Sequence, residues 1–208
     1  AGALLFADIS GFTAMSERLS RIGREGAEEV TNIVNGYFDQ MLALLRDHGG
    51  QLIKFGGDAL LGLFPEGGER RAAACAAQAA LRMQAAMAAF AETRTSQGVF
   101  PLQMKVSLRH GRFFAAQLGN EQDMEYALFG ADVNATAALA NLAGAGQVVL
   151  DADTLAAIGE SARPTAQPLA GAPGCFTLAG LAGGPEPSPP PPAARPVAGS
   201  LLERVQAS

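Results

Sequence analysis

Two aspartates close apolar runs and are followed or preceded by glycine turns, an arrangement suited to a cation and a phosphate. The first is Asp8, in Phe6-Ala7-Asp8-Ile9-Ser10-Gly11-Phe12-Thr13. Here an apolar strand ends in a carboxylate and a Gly-containing turn enters a helix. A helix N-terminus presents unpaired N–H groups at the positive end of its dipole, so phosphate is a natural guest. A cation on Asp8 would bridge to it. The same Asp could instead cap the helix. The second is Asp58, in Lys54-Phe55-Gly56-Gly57-Asp58-Ala59-Leu60, at the tip between two apolar strands. Asp is also common in ordinary Gly-Asp turns. Together, two strand-end carboxylates can share two divalent cations, as two-metal phosphoryl chemistry requires. With only two His and two Cys in the chain, a multi-His or thiolate metal site is excluded. Oxygen ligands point to Mg²⁺ or Mn²⁺.

The elements that must position these groups alternate along the chain. Ala3–Ile9 reads as a buried strand and Thr13–Leu19 as a short helix begun by Ser10 or Thr13. Glu25–His48 is a long amphipathic helix with Val30, Ile33, Val34, Tyr37, Phe38, Met41, Leu44 and Leu45 on one stripe, stopped by Gly49-Gly50. Gln51–Phe55 and Ala59–Phe64 form a tight hairpin, and Pro65–Gly68 is a loop. Glu69–Glu92 is an Ala-rich helix, a composition that lets it pack closely on a sheet. Leu102–Leu108 and Phe113–Leu118 are strands flanking His110-Gly111. A strand (Tyr126–Phe129), a helix (Ala131–Leu142), a strand (Gln147–Leu150), a short helix (Asp153–Ile158) and a closing strand (Cys175–Ala179) complete the pattern. Interleaved helices and hairpin-linked strands define an α+β domain, a mainly antiparallel sheet with helices on its face.

The chain has 208 residues, a formal net charge of −5, 49% hydrophobic and 17% charged residues, which fits one globular domain with a tail and not a disordered chain. No apolar run is long enough to span a membrane. The acidic balance argues against a nucleic-acid partner. AGALLFADIS has no basic segment ahead of its apolar run and is not expected to be a signal peptide; it opens without Met, so an upstream segment is expected. Cys75 and Cys175 are expected to be reduced thiols in a cytoplasmic protein, Cys75 as a small core residue. His48 suits the end of its helix, and His110 is expected to be structural or to support the phosphate side. From Gly183 the chain holds seven of its twelve prolines, so residues 1–182 are expected to be the domain and 183–208 a Pro-rich linker with LLERVQAS as the start of a further segment, the alternative from composition alone being a disordered tail.

Four segments in this order, FADISGFTAMSERL, KFGGDALLGLF, HGRFFAAQLG and YALFGADVNATAALA, resemble the class III nucleotidyl cyclases, adenylyl and guanylyl, over Ala3 to about Leu150. KFGGDALL is most similar to the bicarbonate-responsive soluble adenylyl cyclases and their bacterial relatives. Diguanylate cyclases share a related palm fold, but their signature places an acidic residue directly after Gly-Gly-Asp, where this chain has Ala59. The resemblance implies a ferredoxin-like, palm-type fold, and two catalytic domains paired head to tail with the site in the cleft between them. It implies two Mg²⁺ or Mn²⁺ ions on Asp8, Asp58 and the carbonyl of Ile9, serving the ribose 3′-hydroxyl and the triphosphate. Gly11, Phe12 and Thr13 would hold the β and γ phosphates through turn N–H groups. Arg112 matches a phosphate-binding arginine, the less favoured alternative being a surface Arg on a strand.

On the opposite side of such a dimer, the resemblance matches the base-selecting Lys to Lys54 and the ribose-holding Asn to Asn134. The base-selecting partner falls at Ala127, and the arginine that stabilises charge at the α phosphate falls at Ala138. The metal set is whole and the base set is broken. Three readings follow: the metal-bearing half of an adenylyl cyclase that takes ATP and needs a complementary second domain; a homodimeric cyclase with atypical base recognition; or a non-catalytic nucleotide-binding or regulatory module. The degenerate site of the bicarbonate-responsive relatives holds bicarbonate near a Lys and an Arg. Here Lys54 is present, but Ala137 and Ala138 stand where the Arg is expected, so solvent or another ligand is the expectation.

Overall fold

A computed structural model of the chain describes residues 1–182 except 68–70, 120–123 and 164, and for 115, 117, 119 and 124–126 the backbone alone. The Pro-rich segment expected at 183–208 lies outside the described residues.

Strand β1 (Gly2–Ser10) is central because its alternation serves two faces. Ala3, Leu5, Ala7 and Ile9 enter the main core, while Phe6, Asp8 and Ser10 are half-buried on the other side. Helices α1 (Phe12–Ser20) and α2 (Arg24–Asp47) follow, and α2 sends Tyr37, Met41 and Leu45 into the core. The expected hairpin is present as β2 (Gln51–Gly56) and β3 (Ala59–Pro65). Its two-residue turn, Gly57-Asp58, has Gly57 at φ +69 and Asp58 at negative φ, the pattern of a type II′ turn. At Gly62 of β3, an added Cβ would lie 2.6 Å from Leu45 Cδ1, so the glycine lets α2 approach the sheet.

Helix α3 (Ala72–Ala86) buries Ala72, Ala73, Ala76, Ala77, Ala79, Ala80, Met83 and Ala86, the close packing its composition predicts. It ends earlier than expected. A 3₁₀ turn (Met87–Phe90) leads into a short hairpin, β4 (Thr93–Thr95) and β5 (Gly98–Phe100), that the sequence reading did not anticipate. The physical signal was Thr95-Ser96-Gln97-Gly98: Thr95 Oγ1 donates to the Gly98 carbonyl, and Glu29 of α2 accepts from the Ser96 N–H and Oγ at 2.8 and 2.6 Å. Next come β6 (Gln103–Gly111), β7 (Phe114–Gly119), β8 (Met124–Phe129), α4 (Ala131–Leu142), β9 (Val148–Asp151), α5 (Ala152–Ile158), β10 (Ala166–Pro168) and β11 (Cys175–Leu178).

The main sheet runs β10-β11-β9-β6-β1-β3-β2, antiparallel except for the parallel pair β6–β9. The inner order β6-β1-β3-β2, with helices between β1 and β2 and between β3 and β6, is the ferredoxin-like arrangement, extended by β9, β11 and β10. On one face α2 and α3 cover the main core. On the other, α4 packs on β6, β1 and β9, and the buried Ser107 Oγ donates to the buried Thr136 carbonyl at 2.9 Å. β7 and β8 form a separate ribbon, with β8 touching β2. Among the described residues, no helix is long and apolar enough to cross a membrane.

Candidate active site

Asp8 lies opposite Ala59 across the β1–β3 pair, so the Asp58 turn abuts Asp8 on the neighbouring strand. Adjacent strands are about 4.8 Å apart, and the two carboxylates therefore share one end of the sheet. Their proximity shows in the Asp58 carboxyl, which is pushed above the ordinary Asp range mainly by burial and further by the negative charge of Asp8, against the lowering effects of its own backbone N–H and of Lys105. Below them sits Tyr37 of α2, fully buried, its hydroxyl donating to Met104 Sδ at 3.4 Å. Burial raises the Tyr37 hydroxyl pKa strongly, with the charges of Asp8 and Asp58 adding, so it stays a neutral donor.

Lys105 is the residue that the sequence reading missed here. It lies opposite Asp8 across the β1–β6 pair and places Nζ 3.0 Å from Asp8 Oδ2. Asp8 therefore pairs with a lysine and does not cap α1. Neither Ser10 nor Thr13 caps that helix either: the N-cap position is Gly11, at φ +94, with no side-chain cap. The reason is steric, since a Cβ on Gly11 would lie 2.6 Å from the Pro101 carbonyl. Gly11 and Thr13 are exposed, and Phe12 packs half-buried against the core. Pairing of β1 with β3 ends at Asp8, while pairing with β6 runs on to Ser10. The backbone of Ile9 and Ser10 thus has a strand partner on the β6 side only.

Arg112 is not brought to this group. Gly111 pairs with Gly2, at the opposite end of β1 from Asp8, and the six steps from Gly2 to Asp8 span ~20 Å. Arg112 is exposed and uses its N–H to donate to Asp132 Oδ2 at 3.0 Å. Asp132 Oδ1 also accepts from Arg109 Nε at 2.9 Å, and Arg109 pairs in turn with Asp151. The Arg112 N–H chiefly holds the Asp132 carboxyl below the usual range, against the opposing effect of burial and with Arg109 adding to the lowering. Asp151 accepts from the Thr154 N–H at the start of α5, and Thr154 Oγ1 accepts from the His110 N–H. His110 Nε2 lies 3.2 Å from Glu66 Oε2, also at the far end. His48 serves the end of α2, its Nδ1 2.8 Å from the Leu44 carbonyl. Both cysteines are free thiols, and Cys75 packs half-buried against the core.

The residues expected on the base side stand apart from the carboxylates. Lys54 is exposed on edge strand β2. Asn134 and Ala138 are one turn apart on an exposed face of α4, with Ala137 beside them. Ala127 pairs with Ala116 on the β7–β8 ribbon. On the same ribbon Phe114 and Phe129 face each other across the strands and are 68% and 47% exposed, with Leu118 at 47%; Phe55 on β2 is 45% exposed. Phe114, Leu118 and Phe129 thus leave large apolar surface open to solvent on the ribbon, and Phe55 does so on β2.

The donor set suits a hard cation. Two neighbouring carboxylates, one with its charged form disfavoured by the other, gain from a divalent ion between them. Among the described residues, no group of three or more His, Cys, Asp and Glu offers an alternative metal centre.

This sheet order, with paired carboxylates beside an uncapped helix start, is that of a nucleotidyl cyclase domain. The profile of the adenylate and guanylate cyclase catalytic domain matches residues 2–167, and the chain belongs to that family. Adenylate cyclase type 10 of Oryctolagus cuniculus is 29% identical over 151 residues, 72% of this chain and 9% of the rabbit protein. The adenylate cyclase of Anabaena cylindrica is 28% identical over 143 residues, 67% of this chain and 26% of its own length. The chain thus matches only a small part of these relatives. Among solved structures, the guanylyl cyclase Cya2 superposes with a TM-score of 0.73 at 28% identity, covering 90% of this chain and 95% of its own.

Proposed function

We propose that this domain is the metal-bearing half of an adenylyl cyclase that converts ATP to cyclic AMP and pyrophosphate at an interface with a complementary cyclase domain. The observation that carries the reading is the asymmetry of the site. Asp8 and Asp58 meet at one end of the sheet, while the base-side positions on α4 and β8 hold Ala138 and Ala127. Adenylyl specificity is supported by the rabbit and Anabaena relatives, both adenylate cyclases.

Asp8, Asp58 and the Ile9 carbonyl would hold two Mg²⁺ or Mn²⁺ ions, which supply activation of the ribose 3′-hydroxyl and charge neutralisation on the triphosphate. The uncapped N–H groups of the Gly11-Phe12-Thr13 turn bind and orient the β and γ phosphates. Lys105, paired with Asp8, is the cation beside the proposed metal ligands, whereas Arg112 stands at the far end of β1. The exposed Phe55, Phe114, Leu118 and Phe129 bury against the partner domain, which excludes water from the cleft. Asn134 can orient a ribose across the interface, but neither Ala127 nor Ala138 can select a base or neutralise an α phosphate.

The test is cyclic AMP and cyclic GMP formation with Mn²⁺ by the purified chain, alone and with a partner domain carrying the Asn and Arg. Activity only with the partner, lost in Asp8→Asn and Asp58→Asn, supports the half-site reading. Robust turnover by the chain alone would favour a homodimer. Ala127 and Ala138 also favour a second reading, a nucleotide-binding module without turnover. That reading stands if nucleotide binds and neither mixture makes product. Cyclic GMP as the product would align the domain with Cya2 instead.

A further inference from the structure

Lys105 occupies the carboxylate that the proposed cation needs. We infer that Lys105 is a built-in counter-ion of the metal site: it neutralises Asp8 in the metal-free cleft, and an entering divalent cation has to displace it from Oδ2. The inference rests on the reading of Asp8 and Asp58 as cation ligands. Lys105 is fixed opposite Asp8 by the β1–β6 register, and its Nζ lies 3.0 Å from Oδ2, so the pairing follows from the sheet itself. The Lys105 and Asp8 side chains are 27% and 24% exposed, so solvent screens the pair only in part. Among the described residues, the charged groups that act on one another here are Asp8, Asp58 and Lys105, two negative and one positive, with Tyr37 held neutral beside them. A divalent ion drawn to two carboxylates meets one that is already neutralised, and it is also repelled by the ammonium. The consequence is weak affinity for free cations. A cation arriving on a triphosphate brings negative charge that can receive the displaced ammonium, so the lysine discriminates in favour of the cation–nucleotide complex.

The experiment titrates Mn²⁺ alone, without nucleotide, into the 208-residue chain at low ionic strength and reads free Mn²⁺ by electron paramagnetic resonance. Wild type, Lys105→Met, Lys105→Gln, Lys105→Arg and Asp8→Asn are compared, with circular dichroism to verify folding. Lys105→Met and Lys105→Gln are expected to bind Mn²⁺ roughly five- to tenfold more tightly, the worth of a partly exposed ion pair. The gain should shrink with added salt. Lys105→Arg keeps the charge and should match wild type, and Asp8→Asn should lose binding. Equal or weaker affinity in both neutral variants, with wild-type binding still dependent on Asp8, overturns the counter-ion inference and leaves the proposed function standing. Binding that is absent throughout, or indifferent to Asp8→Asn, overturns both.

Discussion

Placing an arginine at position 138 is the sharpest perturbation of the half-site reading. Asn134 and Ala138 lie one turn apart on α4, and both are exposed. An Arg at 138 therefore projects from the same face as Asn134 without displacing a core side chain. Helix propensity differs little between Ala and Arg, so stability should change by less than about 0.5 kcal/mol. The expected effect on catalysis is much larger. A single preorganised donor to a developing charge is worth ~10²–10³ in rate, about 3–4 kcal/mol. Ala127 still leaves the base without a partner, so the restored fraction should sit at the low end, a gain of ~10²-fold in cyclic nucleotide formation. The assay is product formation with Mn²⁺ by Ala138→Arg chains at concentrations where sedimentation shows dimers. The Asp58→Asn, Ala138→Arg double variant serves as the blank. A dimer with bound nucleotide and no gain would refute the argument that this position faces the α phosphate across a head-to-tail interface. Turnover by the wild-type chain already near that of the variant would refute the premise that the base side is broken.

Asp58→Asn should stabilise the metal-free fold, a rise of about 2 °C in Tm at neutral pH, and remove any stabilisation by Mn²⁺. The sign follows from the raised Asp58 pKa: its contribution is full below the unfolded Asp value and is lost as pH rises through the folded one, so the advantage of the Asn variant over wild type should vanish as pH falls below about 4. Asp132→Ala leaves the Arg112 N–H and the Arg109 Nε without their acceptor, Arg109 keeping Asp151, and should destabilise by about 1–3 kcal/mol in chemical denaturation. Because the Asp132 pKa is lowered, its contribution is present above the ordinary Asp value and fades as pH falls through the folded one, opposite in sign to Asp58. Phe114→Ser, at a residue 68% exposed, should leave the Tm of the isolated chain within about 1 °C while weakening association with a partner domain tenfold or more by ultracentrifugation. Arg112→Ala should leave nucleotide affinity unchanged, because Arg112 stands at the other end of β1 from Asp8.

Local chemistry made much of this domain legible from the chain alone. The apolar run of β1, the stripe on α2, the Gly57-Asp58 turn and the alanine run of α3 each carry their structure in residues a few positions apart, and all four form the expected kind of element, with α3 shorter than expected. The two carboxylates were legible for the same reason, since each closes a strand beside a glycine turn. What failed was local too: the Ser10 and Thr13 caps lost to a left-handed Gly11 pressed against Pro101, and a three-residue-strand hairpin at Thr93–Phe100 left too weak a periodic signal. The tertiary structure alone decided which distant residues share the site. Lys105 and Arg112 lie on and just beyond the same strand, and both are cations near a recognisable motif. The antiparallel register of β6 on β1 puts Lys105 against Asp8 and sends Arg112 to the far end, where it binds Asp132. A strand's sequence reports which face a residue occupies, because side chains alternate along it. It does not report which end lies beside which partner, because that is set by the order and direction of strands joined through long connections.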